Sequence, residues 1–318
     1  MASPARSVRW SEIWNELPVA LLMRRQQQLY GVVWLFYRRK YGLPIGLAKA
    51  GNLCGQGSVV ADIVDRVSVL ETASRVLLRH RLAHTVVVST LWTGHAAGFE
   101  PPVAHIRGQW LLRDVRFRLD LDGGHEATLQ RLSHKMRRNL RYYRRRAEAE
   151  FGCEFVPELT HEQRNEAVAA LFDQAPFQIG ARRAWQMEAA LRVTPGGLAM
   201  GLRDRHGTWL SYIAGWRSAD GLHVDWQLNL VCHKQASIST VMRAYMLEYE
   251  AARSTPAILF VGLTSDFWSR ACEPDVCADL LATRPGFTGN LARWLARWIS
   301  SEGQVARLHD QAALAQSP

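Results

Sequence analysis

The spacing of apolar residues changes several times along the first hundred residues and predicts a mixture of helices and strands. Positions three and four apart indicate helices, and short β-branched or alternating runs indicate strands. The predicted elements are a helix at 11–28, strands at 32–37 and 45–48 that form a hairpin turning near Tyr41-Gly42, a helix at 69–82, and a buried strand at 85–92. The Gly- and Pro-containing stretch 93–102 (TGHAAGFEPP) then predicts a linker.

The remaining sequence shows a clearer order of elements. The predicted elements are a strand at 115–121, a basic helix from about 125 to 150, helices at 162–174 and 182–192, strands at 198–203, 208–217 and 222–231, a helix at 239–253, a strand at 257–263, and then further helix. A strand–helix–strand connection of this length predicts that the last strand pairs in parallel at the end of an otherwise antiparallel run.

Length and composition place the chain among core-forming proteins. Its 318 residues suit two domains, and 48% of them are hydrophobic. We expect an N-terminal α/β domain at 1–100, a second domain at 101–300 and a flexible tail at 301–318. No apolar run is long enough for a transmembrane helix, no secretory signal is evident, and the five scattered cysteines suit a reducing cytoplasm without a metal site.

Most of the positive charge lies in one segment. Residues 131–146 hold eight Lys or Arg and no acid, so they account for most of the net charge of +10. An apolar stripe from Leu129 to Phe151, at steps of three and four, predicts that this segment is a packed helix. Its arginines, Arg137 and Arg141 among them, form either a solvated outer face or a surface for an anionic ligand, and nucleic acid is one such ligand.

The element order and four stretches of sequence resemble the GNAT acyltransferase superfamily, in particular its cellulose-biosynthesis-type (CelD-like) branch, which is related to Fem-type aminoacyltransferases. The resembling stretches are LSHKMRRNLRYYRRRAEAEFG, GTWLSYIAGW, GLHVDWQLNLV and SISTVMRAYMLEYEAAR. The resemblance covers roughly 115–270. It implies an α/β fold with a GNAT-like mixed sheet flanked by helices, in two tandem units of which the first is partial. It also implies transfer of an acyl group, acetyl in the first instance, from acyl-CoA to an amine, with no metal.

The resemblance further implies where acyl-CoA would bind. The donor is expected at the turn 233–240, where the N-terminus of a helix can bind phosphate. The residues expected to bind it there are Lys234, Gln235, Ser237, Ser239 and Thr240. Two features depart from the family pattern: the loop 232–239 contains no glycine, and Ala282 stands where many members have the tyrosine that protonates the leaving thiolate.

The strand predicted at 222–231 supplies the candidate catalytic residues. Strict alternation places His223, Asp225, Gln227 and Asn229 on one face, which lines a cleft or faces water on an outer strand. For acyl transfer to an amine, Asp225 is the first choice of general base and His223 the second. Tyr212 on the preceding strand is the candidate general acid. Gln227 and Asn229 are candidate substrate contacts, and the resemblance adds Asp266.

These observations favour a cytoplasmic N-acyltransferase with a small-molecule or saccharide amine as acceptor. The sequence is also compatible with two other functions. One is a non-catalytic binding protein with the same fold, which the missing glycine and tyrosine favour. The other is a Fem-like enzyme that takes its acyl group from aminoacyl-tRNA, in which the basic helix contacts phosphates.

Overall fold

The structure is a computed structural model. It describes residues 4–40, 43–50, 59–61, 66–80, 82–83, 85–92, 108–172, 181–231, 236–261, 271–283, 286 and 290–291. Contacts within the chain divide it into two units, one formed by Met1–Val115 with Asp275–Pro318 and the other by Arg116–Pro274. The domain boundaries expected near 100 and 300 stay a prediction.

The first unit contains a sheet with helices packed against it. Its elements are α1 (Pro4–Trp14), β1 (Glu16–Arg25), β2 (Gln28–Lys40), β3 (Leu43–Ala50), β4 (Val59–Ala61), α2 (Arg66–Arg79), β5 (Thr85–Trp92) and β12 (Glu273–Thr283). The strand order is β1-β2-β3-β5-β12, with β4 paired to β2. The β3–β5 pair is parallel and the other pairs are antiparallel. Val33, Leu35, Ala48, Val69 and Leu77 lie in its core.

Two predictions for these residues are wrong. The helix predicted at 11–28 ends at Trp14, and Glu16–Arg25 pairs with β2 instead. Gln26 and Gln27, both at positive φ, make the tight turn between the two strands. The apolar run LPVALLM is compatible with a helix or a strand, and its pairing with β2 makes it a strand. The helix expected after the last predicted strand is replaced over Glu273–Thr283 by β12, which pairs with β5.

The second unit contains a six-stranded mixed sheet. Its elements are β6 (Gly108–Asp120, from Arg116 onward), α3 (Gly124–Arg131), α4 (His134–Phe151), β7 (Glu154–Val156), α5 (His161–Phe172), α6 (Ala181–Arg192), β8 (Gly197–Arg203), β9 (Trp209–Ser218), β10 (Gly221–Asn229), α7 (Ile238–Ala252) and β11 (Ala257–Val261). The strand order is β6-β11-β10-β9-β8-β7. The predicted parallel pairing is confirmed, because Leu222–Val224 lies alongside Ile258–Phe260.

The basic segment forms two helices where the sequence predicts one. Leu132 adopts an extended backbone after α3, and the Ser133 side chain accepts a hydrogen bond from the Met136 amide at the start of α4. The predicted apolar stripe is buried at Leu129, Leu132, Met136, Leu140 and Ala147. This stripe packs α4 toward α7, where Arg144 lies over the Tyr245 ring at 4.2 Å.

Candidate active site

A β-bulge in β10 determines which side chains share a face of the sheet. The pairing with β9 shifts register between Val224 and Trp226, so Asp225 is the bulged residue. After the shift, Gln227 and Asn229 lie opposite Ile213 and Ser211. His223 lies opposite Trp216, on the other face. The prediction that His223, Asp225, Gln227 and Asn229 share one face is therefore wrong, because the extra residue reverses the alternation.

The polar face beyond the bulge contains a connected hydrogen-bond network, the β10 polar network of Ser211, Gln227, Asn229 and Arg243. Ser211 Oγ donates to Asn229 Oδ1 at 2.8 Å, and Gln227 Nε2 donates to the same oxygen at 2.9 Å. Arg243 Nε of α7 donates to Gln227 Oε1 at 3.0 Å. Gln227 and Asn229, expected to contact substrate, are thus brought together beneath α7. The sequence did not identify Arg243, because nothing in its pattern distinguishes this arginine from a solvent-facing helix residue.

Arg243 places a positive charge against β10 and β11. Its guanidinium lies 5.4 Å from the centre of the Phe260 ring on β11 and bonds Gln227 on β10. Burial lowers the pKa of Arg243 to about 10, partly offset by the nearby Cys272. Burial also raises the pKa of the Cys272 thiol to about 12, so this cysteine stays protonated at neutral pH. The charge of Arg243 therefore persists at neutral pH in a poorly solvated environment.

α7 is the helix that follows β10 in the chain, and its N-terminus is the expected donor-binding site. Ser237 is its N-cap residue, with φ of 48°, but its side chain makes no capping bond and donates instead to Thr240 Oγ1 at 2.8 Å. Thr240 is buried inside the first turn, and the Ser239 carbonyl accepts a weak bond from Gln227 Nε2 at 3.4 Å. Of these three candidate donor-binding residues, only Ser237 holds the N-cap position.

His223 takes part in a hairpin-turn network at the opposite end of β10. Its Nε2 lies 2.7 Å from Ser218 Oγ and 3.0 Å from Asp220 Oδ1, and its ring stacks on Trp216. The bond from His223 holds the pKa of Asp220 well below its usual range. Both partners contact the same ring nitrogen, so the three residues are not arranged as a nucleophilic triad, in which the carboxylate holds the other nitrogen. This arrangement favours a structural role for His223.

Tyr212 belongs to a buried group on the face opposite α7, the α6 cluster of Arg164, Glu188, Arg192, Tyr212 and Trp226. Tyr212 Oη donates to Glu188 Oε1 at 2.5 Å, and Trp226 Nε1 donates to the same oxygen at 3.0 Å. Burial and the Glu188 carboxyl raise the pKa of Tyr212 well above its usual value. The sequence identified Tyr212 but missed Glu188, because nothing in AWQMEAALR marks one glutamate as buried.

The basic residues of α3 and α4 fall into two groups. Arg131, Arg137, Arg144, Arg145 and Arg146 bond neighbouring carbonyls or carboxylates. Arg137 in particular donates to the Gln130 and Leu132 carbonyls at 2.9 and 2.8 Å, so it caps α3. Arg141, Lys135 and Arg138 are exposed, and their side chains make no hydrogen bond or ion pair within the described residues.

Three predicted residues lie outside the described part of the chain, namely Lys234, Gln235 and Asp266. Ala282 lies in β12, opposite Val86 of β5. Within the described ranges, no group of three or more His, Cys, Asp or Glu side chains is placed to hold a metal ion. Nor does any helix of those ranges have the length and apolar character needed to cross a bilayer.

The fold is similar to that of several solved structures at low sequence identity. FemX matches with a TM-score of 0.64 and 9% identity, over 91% of this chain and 93% of that one. L-PGS from Bacillus licheniformis matches with a TM-score of 0.55 and 12% identity, over 94% and 98% of the two chains. A tandem GNAT protein from the clavulanic acid biosynthesis pathway, in a structure without AcCoA, matches with a TM-score of 0.52 and 14% identity, over 90% of each chain.

No protein-family model and no curated protein sequence matches the chain. The structural likeness establishes the fold, which is that of GNAT proteins, and the predicted fold class is confirmed.

Proposed function

We propose that the protein is an N-acyltransferase of the CelD-like type that moves an acyl group from acyl-CoA to an amine acceptor. The observation that carries the proposal is the β10–α7–β11 unit. A bulged, polar strand leads into the N-terminus of a helix, and the next strand returns parallel to it in a GNAT-fold sheet. Helix N-termini bind phosphate, and the β10 polar network lies beside this one.

Each group of the unit has a role in the proposed reaction. Asp225 takes the proton of the acceptor amine, whose nitrogen attacks the thioester carbonyl. The C–N bond forms, the C–S bond breaks, and the thiolate departs. Gln227 and Asn229 orient the acceptor, and Arg243 stabilises the negative charge that develops on the thioester oxygen and then on sulfur. This role of Arg243 would offset the absence of a tyrosine at Ala282.

The donor site is tested by a double substitution at the turn. Lys234→Ala with Ser237→Ala is expected to weaken coenzyme A binding by roughly 10- to 100-fold, since a cation and a hydroxyl are removed from the phosphate site. Isothermal calorimetry measures the change. Lys135→Ala with Ser254→Ala, which removes the same residue types at exposed positions, is the control and should bind normally. Equal affinity in both double variants would place the donor elsewhere.

A second candidate function is favoured by the exposed face of α4. Lys135, Arg138, Arg141 and Arg145 point outward along about three turns, where like charges repel unless a polyanion offsets them. Their arrangement suits the backbone of an aminoacyl-tRNA acting as the acyl donor in place of acyl-CoA. Arg137 is expected from the sequence to belong to this surface, but its side chain caps the C-terminal end of α3 instead.

Charge reversal distinguishes a polyanion surface from a solvated face. Lys135→Glu, Arg138→Glu and Arg141→Glu together should weaken tRNA binding. They should also reduce the slope of the logarithm of the binding constant against the logarithm of the salt concentration by about 2 to 3, because each lost phosphate contact removes nearly one released counterion. Filter binding across a salt series measures both quantities. Arg24→Glu, Arg75→Glu and Arg182→Glu together change the net charge equally at other exposed positions. If both triple variants lose affinity equally, only the net charge matters and the tRNA proposal fails.

A further inference from the structure

The α6 cluster contains a buried cation with incomplete bonding. Arg164 of α5 has 7% of its surface exposed, and its guanidinium makes no hydrogen bond or ion pair within 4 Å among the described residues. A guanidinium has five N–H donors, and burying it without partners is unfavourable. Such a residue persists in a folded protein when something else offsets its charge.

Two further polar atoms beside Arg164 also lack partners. Glu188 is completely buried, and its Oε2 accepts no hydrogen bond although its Oε1 accepts two. Arg192, one turn further along α6, holds His161 and Asn165 through its terminal nitrogens, while its buried Nε has no partner. Buried polar groups in folded proteins are nearly always paired. Among the described residues, two of the four buried side-chain polar atoms without a partner thus lie in this cluster, between α5, α6 and the sheet.

The charges of the cluster sum to an excess of positive charge. Two guanidiniums, Arg164 and Arg192, lie within electrostatic range of a single carboxyl group, that of Glu188. Burial raises the pKa of Glu188, against the opposing effect of Tyr212 and the two arginines. Among the described residues, the cluster therefore offers N–H donors and has two guanidinium groups for one carboxyl group.

We propose that the α6 cluster binds a carboxylate group of the acceptor substrate. Arg164 and the Arg192 Nε–H would donate to its two oxygens, as guanidinium groups do in bidentate pairs. The proposal rests on the proposed acyltransferase function and specifies its acceptor as an amine that also carries a carboxylate. Trp226, which donates to Glu188, directly follows Asp225 in β10. Asp225 is the residue of the bulge, so the cluster and the candidate general base are one residue apart along the strand.

The proposal is tested by binding, in the absence of any acyl donor. The probes are glycine, β-alanine, 4-aminobutyrate and 6-aminohexanoate, each compared with its amide by calorimetry on the full chain. In the unsubstituted protein, the best carboxylate should bind roughly 10- to 100-fold more tightly than its amide, the value of a charge-assisted pair. Arg164→Met should abolish this preference, and Arg164→Lys, which keeps the charge without the planar fork, should retain part of it.

Stability separates a binding residue from a structural one. Replacing a buried cation that lacks a protein partner by an apolar residue of similar length should leave the unfolding midpoint unchanged or raise it. Arg182→Met, at an exposed position of α6, is the control for both measurements and should change neither. A carboxylate preference that survives in Arg164→Met, or a clear loss of stability in that variant, would overturn the proposal. Carboxylate binding without acyl transfer from any acyl-CoA would reject the proposed function and leave the site standing.

Discussion

Asp225→Asn should lower the turnover of acyl transfer by roughly 10²–10⁴-fold, the usual contribution of a general base. The substitution keeps the size of the side chain and an acceptor oxygen, and it removes the basic carboxylate. Donor affinity and stability should change little, because Asp225 lies in a bulge and is only partly buried. Steady-state kinetics with saturating acyl-CoA gives turnover, and calorimetry gives donor affinity.

Asp220→Asn is the matched control, because it changes a second carboxylate of the same hairpin. Asp220 bonds His223 at the turn, and that bond lowers its pKa in the folded state. A carboxyl with a lowered pKa stabilises the fold above its unfolded-state pKa and loses this effect as the pH falls. Asp220→Asn should therefore reduce stability at neutral pH, converge with the unsubstituted protein on acidification, and leave turnover nearly intact. If Asp220→Asn and Asp225→Asn reduce turnover alike, Asp225 is not the base.

The elements around the site could be predicted because local patterns determine them. β9, β10 and α7 begin and end within one or two residues of the ranges predicted from alternation and helical spacing. The parallel return into β11 follows from connection length alone. The 11–28 segment was predicted wrongly because its apolar run satisfies both periods, and only its pairing with β2 selects a strand.

The composition of the site depends on contacts that no local pattern encodes. One extra residue at Asp225 separates His223 from Gln227, although the sequence between them alternates regularly. Glu188, Arg164 and Arg243 occupy helix positions that resemble solvent-facing ones, and their burial depends on which strand lies beneath them. The same holds for Arg137. It donates to carbonyls at the C-terminal end of α3, where the sequence predicts one continuous helix.

Gly215→Ala should be among the most destabilising single substitutions in the second unit. A Cβ on Gly215 would lie 1.8 Å from the His223 carbonyl oxygen and 3.2 Å from the Val224 Cα, both backbone atoms of β10. Neither can move without displacing the strand, so β9 and β10 must separate at the bulge. We expect a loss of about 3 kcal/mol in the free energy of unfolding, at the upper end of overpacking effects. Denaturant titration measures it as a lower midpoint with an unchanged slope.

The same substitution connects the bulge to catalysis, because Asp225 is the residue that the register shift sets apart. Turnover per folded molecule should fall in Gly215→Ala even at temperatures where the protein stays folded, since the strand that carries the base has moved. Gly207→Ala is the control: its φ of 82° strains an alanine by about 1 kcal/mol, but a Cβ there meets nothing within 4 Å. It should lose a little stability and no turnover per folded molecule. Normal turnover in folded Gly215→Ala would mean that the bulge geometry does not position the base.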